Sequence, residues 1–451
     1  MDDLELAVTT LRDKGIRLTP LFDYYEGDQP LRYAAERLRD VFQDRQTKFT
    51  ENWCAAVVDA IVDRLEINQW SVGTNDALGE RLNHLWLFTG LSADEEAVNR
   101  AVAVTGEAFV LAWTGEDGPE AFYHDPRIAH VWYESDNPRK KRMGAKWWQD
   151  DAGIWYLNLY YPDRIEHYLG GSSDFAQPSS FRLESEESNT TGVVPLFHIY
   201  RDRHMMQGEL VNVIPPQDAI NKLLGDMMIA AEFGAFRQRW IVTNADTSKL
   251  KNAPNEIWEL PAAAPGDQPT TLGEFSTTDL ANYLNAIDKL AAAIGIITQT
   301  PRHYFFLQTG DPSGEALVAA EAPLNRKVEK YQKALGLGWA SVASFLFMLD
   351  GTTVNALDIT PLWENAETVQ PRTEAEIRQM DVASGIPLVT QLRDAGWTVA
   401  DLEQLAADKA DESAAQQTTL ANAMMQAQRS FDQNAQVEDA DAVRRNQGPV
   451  R

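Results

Sequence analysis

Aspartate and glutamate number 67 in this chain of 451 residues, and 13 tryptophans accompany them. That is the palette of a carbohydrate-cleaving hydrolase, in which two carboxylates flank the bond and aromatic rings hold the sugar. No spacing fixes such a pair, and the tryptophans alternate in strand-like segments or sit on apolar helix faces, as core residues do. Seven histidines are scattered with no HExxH run and no paired cysteine, so no metal site is expected. Gly336-Leu337-Gly338 lacks the third glycine and preceding strand of a dinucleotide site, and no GxxxxGK[ST] loop occurs, so neither a cofactor nor nucleoside triphosphate hydrolysis is expected. Arg139-Lys140-Lys141-Arg142 is the most basic cluster; its hairpin-turn context makes it a solvated tip. In the loop at 298–314, Pro301, Gly310, Pro312 and Gly314 break any regular element. Gln308, Thr309 and Asp311 supply polar side chains near its tip without a strong positive charge. Taken alone, such a loop reads as a surface connector.

Two amphipathic helices precede that loop and one follows it. In the first, Pro215 and Pro216 fit the opening turn, Ile220, Leu223, Leu224, Met227, Met228 and Ala231 recur at helical spacing, and Arg237 and Arg239 fall in the last turn, before the β-prone Trp240-Ile241-Val242. In the second, Thr277 or Thr278 is the expected cap. Leu280, Leu284, Ile287, Ala291 and Ile294 form its apolar stripe, with Asn282, Asn285, Asp288 and Lys289 opposite. Roughly 35 residues carrying Pro254, Pro261, Pro265, Gly266 and Pro269 separate the two, too long and broken for a simple connection. The third helix runs from about Glu315 for roughly 35 residues and is expected to kink or split at Pro323.

Elsewhere, residues 1 to about 110 read as mostly helical, with helices at 33–49, 53–67 and 94–104, before 106–113 turns toward a strand. Residues 129–169 form an antiparallel meander, 170–192 a mobile loop and 193–200 an apolar strand. A proline-bearing linker at 360–371 leads to a small helical cap, with a Thr373–Glu376 capping box, a break at Gly385-Ile386-Pro387 and a helix ending near Gly396. From about Asp411 the composition cannot bury a core and disorder is expected, apart from a transient helix at 420–431. The fold class is α+β, and the length suggests roughly three domains. Met1-Asp2-Asp3-Leu4 lacks the regions of a signal peptide, the apolar run 335–349 is too short to span a bilayer, and the lone Cys54 is a buried thiol suited to a reducing cytosol. The net charge of −27 argues against a phosphate-binding surface.

Taken in order, YYEGDQPL at 24–31, NWCAAVVDAIVDRLEI at 52–67, GELVNVIPPQDAINKLLGDMM at 208–228 and GDPSGEALVAAEAPLNRKVEKYQKALG at 310–336 resemble the portal proteins of long-tailed double-stranded DNA phages. Asp311-Pro312-Ser313-Gly314 turning into a long helix is the sharpest of these likenesses. The resemblance implies a portal fold: a wing of helices and β meander at 1–215, stem helices at 216–240 and 277–297 around a small α/β clip at 241–276, and a tunnel loop at 298–314 whose candidate DNA-channel residues are Arg302, His303, Gln308, Thr309, Gly310, Asp311 and Ser313, able to touch DNA without gripping it. A long kinked helix and linker of the wing follow at 315–371, then a helical crown at 372–410 and a disordered tail at 411–451. It further implies a ring of about twelve subunits at one capsid vertex, serving DNA packaging, ejection and head–tail connection. The implied partners are capsid protein, a terminase motor, a head–tail adaptor and double-stranded DNA read without sequence specificity, with no membrane involved; the implied location is the virion, assembled in the host cytoplasm. Acidic walls suit a conduit, because they let DNA slide. The other readings are the hydrolase above and a non-channel capsid or head–tail adaptor protein.

Overall fold

The structure, a computed structural model, describes residues 2–30, 51–172, 176–235, 239–242, 271–275, 279–305, 314–366, 379–394, 397, 401–417 and 425. The helix expected at 33–49, Arg237, the Thr277 or Thr278 cap, the Thr373–Glu376 box and nearly all of 420–431 lie outside the described residues. The chain divides into two units, Met1–Thr368 and Val369–Arg451.

The helices of the first unit are α1 (Asp3–Glu26), α2 (Trp53–Val62), α3 (Asp76–Phe88), α4 (Leu91–Thr105), α5 (Ile214–Ala235), α6 (Ala281–Thr298) and α7 (Gly314–Leu349). Its strands are β1 (Ile67–Val72), β2 (Glu107–Thr114), β3 (Pro119–His124), β4 (Ala129–Tyr133), β5 (Lys141–Gln149), β6 (Ile154–Tyr160), β7 (Arg164–Ser172), β8 (Arg182–Ser188), β9 (Leu196–Tyr200), β10 (Arg239–Val242), β11 (Thr271–Glu274) and β12 (Ile359–Trp363). They form sheets ordered β4-β5-β6-β7-β8, β3-β2-β9, β1-β12 and β10-β11, with antiparallel pairing throughout. Helices beside antiparallel sheets make the fold α+β.

Three expectations need correction. The helix expected at 53–67 stops at Val62, because Ile67, Trp70 and Val72 are drawn into β1, paired with β12 from the far end of the unit. For the same reason 360–363 is a strand and not a linker; its Pro361 is tolerated because a two-stranded ribbon has only edges. The loop expected at 170–192 contains the end of β7 and all of β8. Every residue of β8 is exposed, so no apolar alternation marked it, and Gly170 is needed where Trp155 and Phe181 crowd its Cα.

One core spans both ends of the unit. Leu324, Val328, Tyr331, Leu335, Trp339, Val342 and Leu346 follow helical spacing on α7, and all are fully buried. α7 continues through Pro323. Its segment Ala316–Leu349 is long and apolar enough to cross a membrane, but half of its most apolar stretch is buried inside the protein, as in a core helix. Trp70, Trp86 and Trp339 meet edge to face at 5.2 and 5.0 Å, which assigns these tryptophans to packing. Ala7, Val8 and Leu11 of α1 cover the five-stranded sheet on Met143, Ala145, Leu157 and Leu159.

Where α1 meets the sheets, Lys14 Nζ lies 3.0 Å from Glu107 Oε1 and donates to Ala129 O, while His198 Nε2 stands 3.1 Å from Glu107 Oε2. Burial would raise the Glu107 carboxyl, but His198 and Lys14 outweigh it and hold its pKa at about 2.

In the second unit, residues 379–383 and Leu388–Asp394 are helical on either side of Gly385, whose φ of 99° supplies the expected break. A further helix covers 401–417, so helical structure passes the expected onset of disorder at 411; every residue of 411–417 is nonetheless exposed.

Candidate functional site: the helix pair and the base of its loop

α5 and α6 pack on each other and are bridged at their far ends by β10 and β11. Ile220, Leu224, Ile287, Ala291 and Ile294 enter the core, and Leu223 and Met227 lean on it. Met228 and Leu284 continue the same stripes but stay exposed. Asn282, Asn285, Asp288 and Lys289 are exposed as expected. Arg239 is a strand residue, not part of a helical last turn, and its Nε lies 3.3 Å from Glu274 Oε1 across the ribbon. Gly273 stands opposite Trp240, whose indole comes within 2.5 Å of where a Cβ would stand, a closeness only glycine allows. At the start of α6, Asp279 Oδ1 accepts from the Ala281 amide.

The opening turn of α5 is fixed by polar groups that periodicity does not reveal. Gln217 Oε1 accepts from the Trp53 amide at 2.9 Å and its Nε2 donates to Glu51 O at 2.7 Å. Asn221 Oδ1 accepts from the Glu51 amide, and Tyr24 donates to Asp218 Oδ1 at 2.5 Å. Cys54 lies in this region, its thiol pushed up to about 12 by burial and then by Asp218, which makes it inert as expected.

The loop leaves α6 through Gln299, held in the left-handed region at φ 60°. Thr298 and Thr300 share a hydroxyl hydrogen bond of 2.9 Å, and Lys327 of α7 donates to Thr298 O at 2.7 Å. The ammonium of Lys327 also pairs closely with Glu209, which accepts from Tyr331 at 2.8 Å and pairs with Arg201. Burial lowers the pKa of Lys327, against the pull of Glu209, and pushes the Tyr331 phenol well up. A second contact set follows: His303 Nε2 lies 3.3 Å and Arg64 Nη2 3.6 Å from the carboxylate of Glu321, and Arg64 donates to Tyr304 at 2.8 Å. Phe305 is buried against Trp53, ring centroids 5.2 Å apart. Residues 298–305 are thus clamped to the core.

Of the candidate residues, Arg302 and His303 sit in the short helical turn Arg302–Tyr304, with Arg302 exposed and His303 turned inward to Glu321. His303 therefore acts as an anchor at the loop base. Gln308, Thr309, Gly310, Asp311 and Ser313 lie outside the described residues. Glu209, Lys327, Arg201, Glu321 and Arg64 escaped sequence reading because their partners are far apart in the chain; the only hint was polar residues breaking apolar stripes, as Lys327 does beside Leu324 and Val328. Among the described residues no cluster of His, Cys, Asp or Glu is arranged to hold a metal ion.

A sequence model of the family described as "Phage portal protein, SPP1 Gp6-like" matches residues 13–417, nearly the whole chain. The chain belongs to this phage portal protein family. Two relatives agree in name: the portal protein of Mycobacterium phage D29, 28% identical over 380 residues, and that of Mycobacterium phage L5, 26% identical over 376. Each alignment covers 77% of this chain and 76% of the relative. Among solved structures, a chain from the neck of an empty GTA particle shows a distant likeness, at 14% identity and a TM-score of 0.43, covering 77% of this chain and 89% of that one. As a portal protein, the chain is a structural component of the virion, forming a ring-shaped channel at a capsid vertex for DNA packaging and ejection and for head–tail connection. The family is a structural one, and the portal role takes the place of the plain adaptor reading.

Proposed function

We propose that about twelve copies form this portal ring, with α5 and α6 as its stem, β10 and β11 as the root of its clip, 298–314 as the tunnel loop and 372–410 as the crown. The observation that carries the reading is the pair α5–α6, bridged at its tip and apolar beyond what its own fold covers. Met228, Leu284, Ile296 and Ile297 are 37, 51, 79 and 53% exposed, respectively. Such side chains call for lateral neighbours. With 22 residues, α5 is about 33 Å long, a workable height for a channel wall. In this reading the ring receives DNA from a terminase motor, seats in capsid protein, hands over to a head–tail adaptor and assembles in the host cytoplasm; it performs no catalysis of its own. The clamp at 298–305 supports the loop assignment, since a loop that meets moving DNA needs a rigid root.

Imaging of the purified protein tests the ring: closed rings with an axial hole are expected, and a monodisperse monomer under all assembly conditions overturns it. Replacing 307–313 by a Gly-Ser bridge tests the loop. Rings are expected to persist while packaged or retained DNA falls; normal packaging and retention make the loop a surface connector.

A further inference from the structure

Of the basic cluster at 139–142, Arg139 and Lys140 sit exposed in the β4–β5 turn as expected, whereas Lys141 and Arg142 do not form part of that tip. Lys141 and Arg142 open β5: Arg142 pairs with Asp3 at 2.8 Å, and Lys141 Nζ donates to Val194 O and Leu196 O at 3.0 and 2.9 Å. Lys141, Arg139, Arg201 and Arg203, with Tyr133 and Ser341, line a cleft of about 310 Å³ between the β4–β5 turn, β9 and α7, and no Asp or Glu lines it. Among the described residues Arg139, Lys141 and Arg203 have no carboxylate partner; Arg203 lies over the Tyr133 ring at 4.7 Å. Burial brings the Lys141 ammonium down to about 7, which an arriving anion would reverse. A concentration of unpaired cations in a chain of net charge −27 requires a reason.

At the opposite edge of the same sheet, β8 presents Glu184 and Glu186, exposed and without a cation partner among the described residues, with Glu187 3.4 Å from His167 Nε2. Four strand spacings, roughly 19 Å, separate β8 from β4, and pairing with β7 prevents β8 from folding back on its own cleft. Side-by-side subunits of a ring need two different, complementary surfaces, and chains this acidic repel one another unless opposite charges meet locally.

We propose that the cleft is a carboxylate-binding site filled by the acidic edge strand β8 of a second copy of this chain, a head-to-tail contact that repeats around the ring. The inference rests on the ring reading above.

One variant reverses the cleft, Arg139→Glu with Arg203→Glu; the other reverses the strand, Glu184→Lys with Glu186→Lys. Each alone is expected to lower the assembled fraction about tenfold at matched concentration, and an equimolar mixture to restore rings, since every contact is then again between opposite charges. Native mass spectrometry reads both. As a check free of folding effects, Leu183→Cys with Ser341→Cys in otherwise unaltered rings should join neighbouring subunits through a short bis-maleimide, because Cys54 is buried and unreactive. Rings of normal abundance from either reversed variant, or no cross-linked species in rings, overturn the proposal. Intact rings that lose DNA only when the cleft is reversed overturn it too and assign the cleft to phosphate. If the unaltered protein forms no rings, the ring reading itself fails and the inference with it.

Discussion

Lys327→Met is the most direct probe of the clamp beneath the loop. The Lys327 side chain is 8% exposed; its ammonium lies against the Glu209 carboxylate and donates to Thr298 O at 2.7 Å. Removing one partner of a buried ion pair costs about 3–5 kcal/mol, because the other charge stays desolvated. Here Glu209 keeps Tyr331 and Arg201, and the Arg201 side chain is 36% exposed, so the low end applies, about 3 kcal/mol. Loss of the bond to Thr298 O adds about 1 kcal/mol. Glu209→Gln alone leaves Lys327 and Arg201 facing each other without their carboxylate and is expected to cost a similar amount. The double variant should cost about 2 kcal/mol less than the two single changes combined, since the groups form one network. Denaturation followed by tryptophan fluorescence reports the first unit, because Trp397 is the only tryptophan beyond it. Hydrogen exchange supplies the local readout: amides in 298–305, including Thr300, which donates to Gly295 O at 3.0 Å, should exchange faster in Lys327→Met. A loss below about 1 kcal/mol, or strictly additive changes, would refute the claim that this network fixes the loop base.

Glu95 accepts from the Ile67 amide at 3.0 Å, and burial raises its carboxyl to about 8 despite that bond. The folded chain thus retains a proton that the unfolded chain releases near pH 4.5, and stability from this group is lost as pH rises toward 8. Glu95→Gln should therefore stabilise by up to about 3 kcal/mol near pH 7 and by little near pH 4.5; urea midpoints at the two pH values, in the reverse order, would exclude this. Gly208 lets two backbones meet, since a Cβ there would lie 2.1 Å from Val104 O. Gly208→Ala should cost about 3 kcal/mol, whereas Gly15→Ala, inside α1 and with its nearest neighbour, Arg127 O, at 3.9 Å, should be neutral or stabilising; equal thermal shifts would contradict the close-approach reading.

Local periodicity was enough for α5, α6 and α7, because each puts its apolar residues on one face and that pattern survives whatever packs against it. The same held for β4 to β7, where aromatic and branched residues alternate between turn signals. The order of these pieces was enough to point to the portal family. Tertiary structure alone decided the pairing of β1 with β12, since nearly 300 residues separate two short segments that look like a helix end and a linker. It alone found β8, whose seven exposed residues carry no core-facing signal. It alone joined Glu209 to Lys327 and His303 to Glu321, because a polar residue in a sequence does not announce which distant charge will neutralise it. A helix or an apolar strand is written in nearest neighbours and so can be read from the chain; an ion pair, a polar edge strand or a cleft exists only once the backbone has brought remote residues to the same place.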